Sequence, residues 1–274
     1  IRGRVLQIQI GKEQQNTILM MKKISFIFFL ALSTFSFAQK KEKILFVGNS
    51  FTFYYNIPST VEQMALSRGL HWDISQSTAG GATLKEHWLG EKELKTKKLL
   101  SKKRFSRVIF QDHSNYPLTA IDTTAKYLGK LQSIAKKTNK KYIYSTWVYP
   151  GISGFDPLDK NRSKAIENAL KNSISGFKEY LIPVGRAFDA FNSQFPRSNL
   201  LTDDNKHTNS NGSYLAACVI FSQLSGQSSK GLPRRKEGVD KKGKKIFYFI
   251  VQQSIAEKCQ KVADEIVFGK VPKG

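Results

Sequence analysis

Apolar and polar positions along the chain fall into two alternating kinds of segment. A continuous apolar run occurs at Ile44-Leu45-Phe46-Val47, and further strand-like runs at Arg107-Val108-Ile109-Phe110 and from Tyr142 to Trp147. Such runs are the pattern of strands buried on both faces. Weaker strands are expected at Trp72–Ser75 and Leu181–Val184. Between them, apolar residues at helical spacing predict helices over 58–68, 84–100, 125–136 and 165–180. Two more are predicted over 211–224 and 249–268. The alternation predicts an α/β fold, a three-layer α/β/α sandwich with a central, mostly parallel five-stranded sheet. Ligands of such sheets bind beyond the carboxyl ends of the strands. Chemistry is therefore expected just after the apolar runs.

The N-terminal region breaks the alternation. Met20-Met21-Lys22-Lys23 precedes an almost unbroken apolar run from Ile24 to Leu32, and Ala38 stands before the polar Gln39. This is the layout of a secretory signal peptide over 21–38, with cleavage expected after Ala38. Residues 1–20 are read as a start site called too early, without structure. Residues 39–274 are expected to form one domain. Removing the leader implies an exported protein, periplasmic or extracellular, without an integral membrane domain.

Composition narrows the picture further. The chain of 274 residues carries 44 Lys+Arg against 21 Asp+Glu, a formal net charge of +23. Five basic residues and one acidic residue lie in 1–38, so +19 remains on the rest. The lysines are scattered, which favours a solvated basic surface over a nucleic-acid partner. The densest run, from Lys230 to Lys245, is expected to be a solvated loop. Forty per cent hydrophobic residues suffice for a core and exclude a wholly disordered chain. Two cysteines, Cys218 and Cys259, exclude a disulfide-dense scaffold and a cysteine-rich zinc module. Four histidines leave little room for a multi-metal site, and His87 and His113 have no ligand-spaced partner.

The candidate chemistry sits where the strands end. Gly48-Asn49-Ser50-Phe51-Thr52 follows the first run and exposes a serine on a strand-to-helix turn. Near the C-terminus, Asp204 and His207 are three residues apart on one loop. That spacing lets the carboxylate fix the imidazole and leaves its other nitrogen free to take a serine proton. The order is Ser, Asp, His, and the Gly-x-Ser-x-Gly elbow of the α/β-hydrolases is absent because Thr52 replaces its second glycine. Asp203-Asp204 also invites a paired-carboxylate glycosidase reading, with Asp112 as the necessary partner.

At these residues the sequence resembles the SGNH (GDSL-like) hydrolase superfamily. Gly48-Asn49-Ser50 resembles its first block, with Asn49 in place of the usual aspartate. Gly80-Gly81-Ala82-Thr83 resembles the second, and Asp204-Asn205-Lys206-His207 matches the Asp-x-x-His of the last. The third block departs from Gly-x-Asn-Asp, reading Gln111-Asp112-His113-Ser114-Asn115. The resemblance implies a flavodoxin-like SGNH fold, catalysis by Ser50, His207 and Asp204, and no metal or organic cofactor. It implies an oxyanion hole from the N–H groups of Ser50 and Gly81, completed by the side chain of Asn115 or Gln111.

The expected function is an exported serine esterase acting on an acylated small molecule or polysaccharide, with acetyl groups on carbohydrate expected first. Phe51, Phe53, Tyr54, Tyr55, Trp147 and Tyr149 could stack on sugar rings, although core packing is the plainer role for most of them. Two alternatives remain open. One is a lipid or thioester hydrolase of the same superfamily, and the other an inactive glycan-binding protein on the same fold. Since the imidazole must be neutral to act as base, activity is expected to fall below roughly pH 6–7.

Overall fold

The structure, a computed structural model, describes Met20 and residues 41–152, 156, 158–174, 180–239 and 242–269. The leader expected over 21–38 and the segment before Met20 lie outside the described residues.

β1 (Glu42–Gly48) buries Ile44 through Val47 completely, as its continuous apolar run requires of a strand covered on both faces. It pairs in parallel with β2 (Trp72–Thr78) on one side and β3 (Arg107–Phe110) on the other. β4 (Lys140–Tyr144) and β5 (Leu181–Ile182) continue the sheet in the order β2-β1-β3-β4-β5, all parallel. Since β2 and β3 flank β1, the strand order reverses there. The crevice at such a switch point, beyond the carboxyl ends, is where doubly wound sheets bind ligands.

Two groups of helices cover the sheet. α2 (Ile57–Ser67), α8 (Val184–Gln194), α9 (Ser210–Ser225) and α10 (Gln253–Phe268) pack on one another. α3 (Leu84–Leu89), α4 (Thr96–Lys102), α6 (Ile121–Ile134) and α7 (Lys164–Ser173) form the second group. Two short helices, α1 (Ser50–Phe53) and α5 (Tyr116–Thr119), follow β1 and β3 directly. Leu215 through Phe221 of α9 are wholly buried, because α2, α8 and α10 all lie against that helix. Among the described residues no helix is long and apolar enough to cross a membrane.

Several expected elements change. The single helix expected over 84–100 is two, because α3 ends at Gly90 with φ +79°, a left-handed cap that glycine adopts without strain. The helix expected over 165–180 ends its described part at Ser173, and 175–179 lie outside the described residues. The basic run is not a loop. It folds into an antiparallel hairpin of β6 (Arg235–Val239) and β7 (Lys245–Ile250), so Phe249 lies in a strand and the last helix starts at Gln253. Glu237 pairs with both Arg235 and Lys245, which lets cations line a strand pair. Cys218 and Cys259 are buried free thiols.

Candidate active site

Ser50 opens α1 one residue after β1. The intervening Asn49 caps that helix, its Oδ1 accepting from the Phe51 N–H at 3.1 Å. Its Nδ2 donates to the Ala82 carbonyl at 3.0 Å. A carboxylate could make the first bond but not the second, which gives asparagine a physical reason to stand here. Crowding dictates Gly48: a Cβ there would lie 2.3 Å from Thr52 Oγ1 and 2.6 Å from Gln111 Oε1.

The loop after α8 supplies the base. Leu201 and Thr208 bridge its two ends, and Asn205 turns it with φ +54°. Asp204 Oδ1 accepts from the Thr202 hydroxyl at 2.7 Å and from the N–H groups of Lys206 and His207 at 2.8 and 2.9 Å. Its Oδ2 lies 2.6 Å from His207 Nδ1. An ionised carboxylate only accepts, so Nδ1 carries the proton and Nε2 presents its lone pair. Ser50 Oγ is 2.8 Å from that Nε2 and donates to it. Burial raises the Asp204 carboxyl, but the bonds from the His207 ring, Thr202 and the main chain outweigh it and hold the group well below the usual carboxylate range. The Trp147 indole N–H anchors the loop through the Lys206 carbonyl at 2.9 Å.

Aromatic rings enclose the imidazole. Tyr54 stacks on it with ring centroids 4.2 Å apart and planes 15° from parallel, and Phe51 lies 5.6 Å away. Phe51, Trp147 and Tyr149 are buried in the core. Sequence reasoning grouped Tyr54 with them, since nothing local distinguishes a ring facing a distant histidine from a core ring.

The oxyanion candidates divide. Gly81 has φ +61° in the turn closed by the Ala82 N–H to the Ala79 carbonyl, and the Asn49–Ala82 bond ties this turn to the nucleophile. Among the described residues neither the Ser50 N–H nor the Gly81 N–H has a hydrogen-bond partner. Gln111 is a correction. It is wholly buried, its Oε1 accepts from the Asn49 N–H at 2.9 Å and the Thr52 hydroxyl at 2.8 Å, and its Nε2 donates to the Asp112 carbonyl. With Oε1 tying the end of β3 to the nucleophile turn and Nε2 held on the Asp112 carbonyl, Gln111 positions the turn instead of facing an oxyanion. Asn115 immediately precedes α5 beside His113, its N–H reaching His113 Nδ1 at 3.4 Å, and it remains the side-chain candidate.

Asp112 cannot serve the paired-carboxylate reading. It is buried, with Oδ1 accepting from the Leu84 and His113 N–H groups and Oδ2 from the Thr124 hydroxyl. Burial pushes its pKa up against those bonds.

His87 has a place that its sequence does not announce. Wholly buried, it lies with Nε2 3.1 Å from the Gly48 carbonyl and Nδ1 2.6 Å from Thr96 Oγ1. A carbonyl only accepts, so Nε2 carries the proton and the Thr96 hydroxyl donates to Nδ1. Thr96 in turn meets the Ser77 hydroxyl at 2.8 Å. Burial pushes the His87 pKa down to about 4, keeping the ring neutral behind the nucleophile turn.

No protein-family model and no curated protein sequence matches the chain. Solved structures do. A DUF4886 family protein from Bacteroides uniformis aligns with a TM-score of 0.63 and 20% identity, covering 85% of this chain and 98% of its own. A candidate SGNH hydrolase from Slackia heliotrinireducens gives 0.51 and 24%, with 68% and 100% covered. A candidate GDSL-like lipase from Parabacteroides merdae gives 0.51 and 13%, with 69% and 98% covered. At these identities the likeness is one of fold, and the chain has the SGNH-hydrolase fold.

Proposed function

We propose that this chain, on its SGNH-hydrolase fold, is a serine ester hydrolase using Ser50, His207 and Asp204. The observation that carries the reading is the 2.8 Å separation of Ser50 Oγ and His207 Nε2, with Asp204 on the far nitrogen. Ser50 Oγ attacks the ester carbonyl carbon as His207 Nε2 takes its proton. The N–H groups of Ser50 and Gly81, with Asn115, receive the oxyanion, each donor typically worth ~3 kcal/mol of barrier. The ester C–O bond then breaks as His207 protonates the departing alcohol, leaving the acyl group on Ser50. Water gives a proton to the same nitrogen, attacks the acyl-enzyme, and releases the carboxylic acid as Ser50 regains its proton.

The substrate class is a short acyl ester, acetyl first, on a carbohydrate, and the protein is exported. Supporting this are the half-exposed Tyr55 next to the ring that stacks on His207, and the leader-like sequence over 21–38. The test is hydrolysis of p-nitrophenyl esters from acetate to palmitate by the parent and Ser50→Ala. The acetate should be preferred, and Ser50→Ala should lose roughly 10³-fold or more. Preference for palmitate would favour a lipid hydrolase. Equal inactivity of both proteins, with retained glycan binding, would favour the binding protein.

A further inference from the structure

His113 stands level with the nucleophile at the edge of the sheet. Val47 of β1 pairs with Phe110 of β3, and Ser50 and His113 each follow three residues later. Asn49 keeps the two segments together past the last ladder pair, with its N–H on Gln111 Oε1 at 2.9 Å and its Nδ2 3.5 Å from the Asp112 carbonyl. The Asp112 carboxylate fixes what comes next. Its Oδ1 accepts from the His113 N–H and the Leu84 N–H, both at 2.8 Å. One oxygen thus ties His113 to the segment that follows Gly81.

The state of the ring follows from its partners. The Asn115 N–H reaches Nδ1 at 3.4 Å. An N–H only donates, so Nδ1 accepts and the neutral ring carries its proton on Nε2. That Nε2 has no hydrogen-bond partner among the described residues, yet it keeps accessible surface. The charged groups acting on the ring are Lys206, Asp112, Lys92 and Glu86. Lys206 adjoins His207, and Lys92 Nζ lies 3.2 Å from the Gly80 carbonyl, which places the imidazole between the loop of the base and the turn of Gly81. Burial and, after it, Lys206 push its pKa below the ordinary histidine value. The ring is therefore a neutral donor at pH 7. With the N–H groups of Ser50 and Gly81 it makes three unpartnered donors at one edge of the sheet.

We infer that His113 is a further catalytic residue, whose Nε2–H donates to the ester carbonyl oxygen as that oxygen becomes an oxyanion. No proton is transferred. It stays on Nε2, and the hydrogen bond strengthens as charge gathers on the oxygen. A neutral imidazole can polarise a carbonyl in this way. The main-chain N–H of Asn115 sets the tautomer that makes it possible. The inference deepens the serine-hydrolase reading above and rests on it.

Hydrolysis of p-nitrophenyl acetate at neutral pH by the full chain tests it, with Ser50→Ala, His113→Phe, His113→Ala and His113→Gln beside the parent. Phenylalanine keeps a ring without the donor, alanine only removes atoms, and glutamine returns an N–H. His113→Phe and His113→Ala should each lose roughly 10²-fold in kcat, the usual cost of one oxyanion donor, with KM within about 3-fold of the parent. His113→Gln should recover at least about 10-fold over His113→Phe. Urea unfolding checks that each variant is folded. Parental kcat in the folded donor-less variants overturns the inference, and so does a loss that His113→Gln does not relieve. In both of these cases, activity that Ser50→Ala abolishes leaves the esterase reading standing. An inactive parent overturns that reading and the inference with it.

Discussion

The Tyr54 ring lies 4.2 Å from the His207 imidazole, 15° from parallel, on the segment directly after the nucleophile helix. When His207 takes the serine proton it becomes a cation facing a π surface. That contact strengthens only as charge develops, so it acts on the transition state. Tyr54→Ala should lower kcat/KM for p-nitrophenyl acetate about 10-fold, the upper range of one cation–π contact, while Tyr54→Phe stays near parental. Equal losses in both variants would assign the effect to the phenol hydroxyl instead.

Asp204 fixes both the ring and its own loop, since it accepts from Thr202, Lys206 and His207. Asp204→Asn should cost about 10²–10⁴-fold in kcat. Its depressed pKa has a definite sign. The carboxylate is present above the ordinary carboxyl range and is lost only in strong acid. Asp204 therefore stays ionised through mildly acidic pH, and its own protonation accounts for no activity change between pH 7 and 5.

His87 makes stability depend on pH in a chosen window. Its folded pKa of about 4 lies below the ordinary histidine value. The folded state therefore binds fewer protons than the unfolded chain between the two. Stability from this group is full above about pH 6.5 and falls as pH drops toward 4, by up to about 3 kcal/mol. His87→Gln keeps a donor for Gly48 and an acceptor for Thr96 on one amide. Urea midpoints at pH 7 and 4.5 should differ less for His87→Gln than for the parent. An unchanged difference would show that His87 does not titrate there.

Gly48→Ala tests the crowding behind the nucleophile. Its Cβ would overlap Thr52 Oγ1 and Gln111 Oε1, the pair that joins β3 to the turn. A destabilisation of about 1–3 kcal/mol is expected, with a larger loss of activity than of stability because Ser50 is two residues away. Urea unfolding and p-nitrophenyl acetate kinetics together read this. Parental stability and rate would show that the turn is less confined than the geometry requires.

The sheet was legible because its central strands carry apolar stretches, and Ile44–Val47 and Val108–Phe110 read directly. The hairpin was hidden because Arg235, Lys236 and Lys245 look like a solvated loop until Glu237 is seen between them. In the site, the three-residue spacing of Asp204 and His207 is local and therefore readable. The contacts of Gln111 and His87 with the nucleophile turn span 62 and 39 residues, so no local pattern announces them. Gln111 was misread for a chemical reason. A primary amide is an equally good oxyanion donor or structural brace, and only its partners tell which.

The central claim is that Ser50 Oγ is a nucleophile activated by His207. Incubation with a fluorophosphonate followed by peptide mass spectrometry tests it most directly. The expected result is one phosphonyl adduct, on the peptide carrying Ser50, absent from Ser50→Ala and formed far more slowly in His207→Ala. An unlabelled Ser50 in a protein that still hydrolyses p-nitrophenyl acetate, or an adduct on another serine that survives Ser50→Ala, would contradict it.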